Sequence, residues 1–295
     1  MAKKSKKIKE SSSIDDTIKD INKIFKHAVV RKAIDRSEKL AVVPTGIKEF
    51  DKALDIGGFP RGRIVELYGD ESLGKTTLAL QIVARFQKNG LPAAYIDMEH
   101  ALDIPYVKKL GVDCEKLMLA QPSCGEEALN ILEYAIKTKA FRIIVVDSVA
   151  MLIPQVELEG ETGTVVMGVM ARNMGQCIRK IGGVVSENDV TVIFINQVRA
   201  NIAIGGYGPS ETTPGGRALR FAAHLRIRLK TGKRIDKTHN GEKKAVARNV
   251  YVNIVKSKLG TPLKNTTLIL KFGSGFVNSL DKKKKDKKHD EIRSR

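Results

Sequence analysis

Residues 69–77 read GDESLGKTT and follow directly on the apolar run RIVELY. The spacing is G-x-x-x-x-G-K-[ST], with Gly69, Gly74, Lys75 and Thr76 at its fixed positions. Glycines let the backbone turn tightly, so that successive N–H groups point inward at a phosphate. The lysine adds a mobile positive charge, and the threonine hydroxyl suits a place on a magnesium ion. Asp70, Glu71, Ser72, Leu73 and Thr77 complete the loop. Leu78, Ile82 and Phe86 then recur at helical spacing, the continuation such a loop requires. This stretch is a nucleotide site.

Three further stretches bring chemistry to strand ends. RIIVVDSVAML sets Asp147 at the end of an apolar run, where a carboxylate beside a phosphate loop holds magnesium through water. In isolation such an aspartate commonly starts a loop or caps a helix; the phosphate loop upstream favours the metal role. AAYIDMEHALDIPY puts Asp97 and Glu99 at the end of another run. Glu99 is the candidate base for the attacking water, and spacing alone leaves the choice between it and Asp97 or His100 open. VIFINQVR ends on Asn196 and Gln197, amides suited to sensing a γ-phosphate or equally to satisfying loop backbone.

The stretch after Gln197, VRANIAIGGYGPSETTPGG, has five glycines, two prolines and no regular period. A loop of this length in a compact domain is functional or disordered. It carries Arg199 for a phosphate, and Ile202, Ile204 and Tyr207 to contact or stack on bases. A second such segment, ELEGETGTVV, precedes a helix whose core stripe is Met167, Met170, Met174, Ile178 and Ile181. Arg172 and Arg179, seven apart, share a different face of that helix and suit nucleic-acid backbone.

The elements that must position these groups are apolar strands alternating with helices. Early strands (RIVELY, AAYID, KLMLA, RIIVVD, VTVIFIN) are near-continuous apolar runs, which predicts a mostly parallel sheet covered on both faces. HLRIRL, NVYVNIV and TLILKF follow one another with turn signals such as HNGE, so the sheet should end in antiparallel hairpins. The expected organisation is a disordered basic arm (1–13), a helix and linker (14–40), an α/β core (41–280) and a basic tail (281–295). The helix carries Ile14, Ile18, Ile21 and Phe25 on one stripe and is expected to dock on the core or on a neighbouring subunit.

A formal net charge of +19 over 295 residues favours a polyanionic partner, nucleic acid before an anionic membrane surface. Cys114, Cys124 and Cys177 form no C-x-x-C pair and suit a reducing compartment. No apolar run approaches the roughly 18 residues of a spanning helix, and no signal peptide is evident, so a soluble intracellular protein is expected.

Taken together, GRIVELYG with its phosphate loop, IDMEHALD, KLGVD, IIVVDSVAML, EGETG, FINQVR and ETTPGGRALRF resemble the bacterial RecA family of strand-exchange recombinases, in the family's order over roughly residues 40–275. The resemblance implies a RecA-type P-loop ATPase core and a homo-oligomeric helical filament on single-stranded DNA. It further implies homologous pairing with double-stranded DNA in recombination and repair, with ATP and Mg2+ bound between adjacent subunits in the cytoplasm. It implies that Lys75 and Thr76 bind phosphate and magnesium, that Glu99 activates water, and that Gln197 reports the γ-phosphate to the second DNA-binding loop. Asp103 and Tyr106 of DIPY match adenine contacts, and Lys256 and Lys258 of VKSKL match lysines that reach a neighbour's ATP. The two DNA-binding loops fall at about 157–168 and 198–214; Gly215 and Gly216, at the end of the second, are grouped with the DNA-binding residues. Phe221 matches an interface aromatic.

Asp70 stands where the family has proline and Leu73 where serine is common, positions whose side chains phosphate binding does not use. The family's further C-terminal domain is expected to be missing after the core, with a basic tail in place of the usual acidic end. The alternative expectation is therefore a DNA-coating or regulatory filament without efficient strand exchange. A ring-forming helicase of the same superfamily is disfavoured by IDMEHALD and VKSKL.

Overall fold

The computed structural model describes residues 13–25, 30–33, 40–161, 168–200, 211–239 and 242–278. Met167, Ile202, Ile204, Tyr207 and the tail 281–295 lie outside them, as do residues 1–12 of the arm. The chain divides into two units, residues 1–40 and 41–295. In the first, helix α1 (Ile14–Phe25) begins where the Ser13 hydroxyl accepts from the Asp16 N–H, a side-chain cap on an otherwise orphaned donor. Asn22 holds the following segment by exchanging two hydrogen bonds with the Val30 backbone, both 2.8 Å. No residue of α1 is buried within its unit, and the ends of its apolar stripe, Ile14 and Phe25, are exposed.

The second unit is built on one nine-stranded sheet. Its elements in chain order are β1 (Val42–Val43), α2 (Lys48–Leu54), β2 (Phe59–Pro60), β3 (Ile64–Gly69), α3 (Lys75–Lys88), β4 (Ala93–Asp97), α4 (Ile104–Lys109) and β5 (Leu117–Ala120). There follow α5 (Gly125–Lys137), β6 (Ile143–Asp147), α6 (Gln155–Leu158), α7 (Val169–Glu187), β7 (Thr191–Gln197), β8 (Arg199–Ala200) and β9 (Glu211–Thr212). The chain closes with α8 (Gly216–Ala222), β10 (Leu225–His239), β11 (Glu242–Ser257), β12 (Asn265–Lys271) and β13 (Gly275–Val277). The sheet order is β13-β12-β11-β10-β3-β7-β6-β4-β5. From β10 to β5 all neighbours are parallel, and β10 to β13 pair antiparallel.

Period-two alternation assigns the two faces. Val65, Leu67, Ile193 and Ile195 meet α2, α3 and α4 through Phe50, Leu78, Ile82, Phe86 and Val107. Ile64, Val192 and Phe194 meet α5, α7 and α8 through Leu132, Met174, Ile178, Ile181 and Leu219. Every position of β3, β4 and β6 is buried, as expected of parallel strands covered on both sides. The α7 stripe at Met174, Ile178 and Ile181 is buried while Arg172 and Arg179 are exposed, so the helical spacing sorts the two faces as read.

The sheet differs from expectation in one respect. HLRIRL and NVYVNIV suggest short strands, yet β10 continues to His239 and β11 starts at Glu242, with pairing continuing out to the His239–Glu242 register. Beyond Leu229, β10 has left β3, and before Ala247, β11 has not reached β12. The polar sequence there needs no buried face, because a two-stranded ribbon pairs its inward backbone groups across the strands and leaves the outward ones to water.

Candidate functional site

The apolar strands end at one rim of the sheet and deliver the predicted groups there. Gly69 closes β3 with its Cα close against β10: a Cβ at this position would lie 2.4 Å from the Leu229 carbonyl oxygen, so no other residue fits without moving a strand. Gly74 (φ 80°) ends the loop and starts α3, placing Lys75, Thr76 and Thr77 in its first turn. Lys75 Nζ donates to the carbonyls of Gly69 (3.1 Å) and Asp70 (2.7 Å), curling back over the loop it belongs to.

Asp147, at the end of β6, is the hub. Its Oδ2 accepts from Thr76 Oγ1 and from the buried Tyr95 hydroxyl, both at 2.6 Å. Burial pushes its carboxyl up to about 6, against the pull of those two hydrogen bonds, and the carboxylates of Glu99 and Asp97 add to the rise. Burial likewise lowers Lys75, while Asp147 and Glu99 hold it up. Burial and two neighbouring carboxylates thus disfavour the ionised form of Asp147.

The two carboxylates after β4 have different surroundings. Asp97 is buried and accepts from Glu99 N, Leu102 N and Gln121 Nε2, which shapes the turn. Glu99 is exposed to the cleft and accepts from Ser148 Oγ at 2.8 Å. The amides at the end of β7 divide in the same way. Gln197 lines the cleft, whereas Asn196 is fully buried and gives its Nδ2 to the Pro214 carbonyl and to Glu66.

Lys75, Thr76, Glu99, Tyr106, Asp147 and Gln197 thus face one cleft of ≈ 790 Å³. Tyr106 reaches it through a 3.2 Å contact between its hydroxyl and Thr77 Oγ1. Asp103 stands at the entry to α4 and is not among the lining residues. Sequence reasoning missed the far wall, formed by Leu270 to Gly273 at the end of β12. The only signal was the turn residues FGSG after an apolar strand, which say nothing of what the turn faces.

The remaining predicted residues lie elsewhere. Arg172 and Arg179 are on the open face of α7. Arg199 pairs with Thr212 in the β8–β9 ladder, at the mouth of the segment between them. Gly215 and Gly216 begin α8, where their Cβ positions would press on Val149 and Ala171. Lys256 donates to the carbonyls of Arg220 (2.7 Å) and Phe221 (2.8 Å), and Lys258 to Phe221 (3.2 Å), so both cap the C-terminal end of α8. The Phe221 ring itself is 71% exposed. Among the described residues, no group of three or more His, Cys, Asp or Glu forms a metal cage, and no helix is long and apolar enough to cross a membrane.

A phosphate loop between β3 and α3, with carboxylates and an amide at the ends of adjacent parallel strands, defines a nucleotide hydrolase of the P-loop α/β class. The RecA N-terminal domain model matches residues 12–277. Protein RecA of Nitratiruptor sp. is 47% identical over 268 residues, covering 90% of this chain and 77% of the relative. Protein RecA of Thermus aquaticus is 46% identical, covering 91% and 78%, and that of Helicobacter pylori 45% identical, covering 90% and 76%. The chain belongs to the RecA family. It is a recombinase of DNA recombination and repair and a DNA-dependent ATP hydrolase; its family membership carries nucleotide binding, DNA binding and filament formation.

Proposed function

We propose that the cleft binds ATP with Mg2+, and that its loop, Gly69 to Thr77, wraps the phosphates with backbone N–H groups. In this reading Lys75 swings from its own loop carbonyls to the β- and γ-phosphates. Thr76 and Asp147 would hold Mg2+, the hydroxyl directly and the carboxylate through water. The donor set fits: the Thr76 hydroxyl and the buried Asp147 carboxylate already meet at 2.6 Å, and a cation that keeps phosphate and water ligands needs no all-protein cage. Bound Mg2+ would supply charge neutralisation at the transferred phosphoryl group. Glu99 activates the attacking water, oriented by Ser148, and Gln197 senses the γ-phosphate. Tyr106, with Asp103, contacts the adenine.

The rest of the reading places function between subunits. Lys258 N donates to the His224 carbonyl and His224 N to that of Ile64, so the two lysines stand beside the start of β3, while the phosphate loop follows its end. Five residues of strand, about 16 Å, separate those positions. That separation supports Lys256 and Lys258 completing a neighbour's site in a helical filament, with Phe221 and the apolar stripe of α1 in the contact. Arg172, Arg179, Arg199, Gly215 and Gly216, together with Ile202 and Tyr207, form the surface for single-stranded DNA. Double-stranded DNA is the partner in homologous pairing, and the cytoplasm is the compartment.

The observation that carries this reading is the meeting of Lys75, Thr76, Glu99, Asp147 and Gln197 in one cleft, from separate places in the chain. Glu99→Gln tests it. ATP binding should stay near that of the unaltered protein while turnover falls about a hundredfold or more. Loss of binding in step with turnover would remove Glu99 from the role.

A further inference from the structure

A fully buried carboxylate outside the cleft has no part in the chemistry described above. Glu66, in the middle of β3, is 0% exposed. One oxygen accepts from Asn196 Nδ2 at 3.0 Å and the other from Arg226 Nε at 2.5 Å. Arg226, on β10, also stacks its guanidinium over the Tyr68 ring, 4.7 Å from the centroid. An apolar residue at Glu66 would satisfy a strand buried on both faces, and a buried ion pair gains little net stability over apolar packing. A charge placed there needs another reason.

Its connections supply one. Asn196 Nδ2 reaches the Pro214 carbonyl at 3.0 Å as well as Glu66, and its Oδ1 accepts the Gln197 N–H at 3.0 Å. One side chain therefore grips the chain just before the 198–214 segment and again at its end. In the other direction, Arg226 lies directly opposite Lys256 in the β10–β11 register. The path runs from Gln197 in the cleft, through Asn196, Glu66 and Arg226, to the lysine at the opposite end of the strand. Each step is a hydrogen bond, an ion pair or a cross-strand pairing.

We infer that Glu66 and Arg226 are positioning residues that lock Asn196, and through it fix Gln197 and Pro214, so that the nucleotide cleft and the two flanks of the 198–214 segment move as one. The inference rests on Gln197 sensing the γ-phosphate. A carboxylate is required because it accepts from both neighbours at once; a glutamine offers one oxygen and one NH2 group, so one of the two neighbours meets a donor with a donor.

The test measures nucleotide affinity, basal ATPase and single-strand-stimulated ATPase in Glu66→Gln, Arg226→Lys and Gln197→Ala, with a thermal melt for each. The Arg226→Lys variant keeps the charge at a less buried position and guards against a Glu66→Gln chain that does not fold. Glu66→Gln and Arg226→Lys should keep nucleotide affinity and basal rate while stimulation by DNA falls about tenfold or more, the effect of small displacements at a reacting centre. Full stimulation in folded Glu66→Gln and Arg226→Lys, with stimulation lost in Gln197→Ala, would overturn the positioning role alone. Stimulation kept in Gln197→Ala would overturn the sensing role on which it rests. A fall of affinity, basal rate and stimulation in proportion to melting temperature would also overturn the proposal, leaving a purely structural ion pair.

Discussion

The two halves of the sheet handle polar chemistry in opposite ways. In the parallel half, strands buried on both faces end at one rim, where the loop after β3, Glu99 beyond β4, Asp147 of β6 and Gln197 of β7 line the cleft. In the antiparallel half, β11 is only partly buried, and Lys256 at its end and Lys258 just beyond it donate to main-chain carbonyls in the last turn of α8, beside an exposed phenylalanine. A buried rim can organise phosphates within one chain. On the proposed reading, the lysines at the end of β11 serve a second subunit, one catalytic centre is divided between the two halves, and hydrolysis depends on assembly.

The largest effect should come from the parallel half. Lys75→Ala removes the charge proposed to meet the β/γ-phosphates, so turnover should drop about a thousandfold or more. Steady-state hydrolysis of a melt-checked sample is the measurement. Turnover near that of the unaltered protein would break the assignment of the cleft, and with it the whole contrast.

Next in size is the antiparallel edge. Replacing Lys256 and Lys258 by alanine should cut DNA-stimulated hydrolysis about a hundredfold, as for transition-state cations supplied in trans, while a monomer's nucleotide affinity changes little. The sharper form mixes this variant with Glu99→Gln. Some interfaces then receive an intact Glu99 and an intact lysine pair, and activity should partly return. No recovery at any mixing ratio would mean that each site is complete within one chain, and the two halves would no longer differ in kind.

How far the sequence foretold each half follows from the same contrast. The phosphate loop is a continuous motif, and Glu99, Asp147 and Gln197 each end an apolar run, so composition marks both the strand and its terminus. The choice between Asp97 and Glu99 stayed open because it depends on which carboxylate accepts the turn's N–H groups, a three-dimensional matter. Asn196 against Gln197 is the same case. Glu66 passes as the polar position of a strand, and its partners lie 130 and 160 residues away. Lys256 and Lys258 entered only through family resemblance, since charged residues at an exposed strand end are ordinary. The long ribbon of β10 and β11 went unforeseen because its polar residues carry no burial period to read.

A smaller effect tests α7 as a DNA-facing helix. If Arg172 and Arg179 each neutralise a phosphate, their double alanine variant should bind single strands more weakly. The salt dependence of affinity should flatten by about 0.7 in logarithmic slope for each phosphate no longer neutralised. An unchanged slope would return both arginines to ordinary solvated surface.

The smallest effect belongs to the join between the halves, at His224. Its Nδ1 accepts the Ile64 N–H at 3.3 Å, where β3 begins. Burial lowers its pKa from 6.5 to about 4, and the neighbouring cations Arg63, Lys258 and Lys256 push the same way. The unfolded chain therefore binds a proton that the folded chain refuses between those values. The stability contributed by neutral His224 is full above 6.5 and is lost as pH falls toward 4. Its partial exposure keeps the effect modest. Asparagine can accept the same N–H without titrating, so His224→Asn should lose less melting temperature than the unaltered chain on going from about pH 7 to about pH 5. Both proteins would be melted in matched buffers at constant salt, so that titration of every other group cancels in the difference. Identical slopes would mean that His224 is protonated without strain, and the join would then be as open to solvent as the lysine edge beside it.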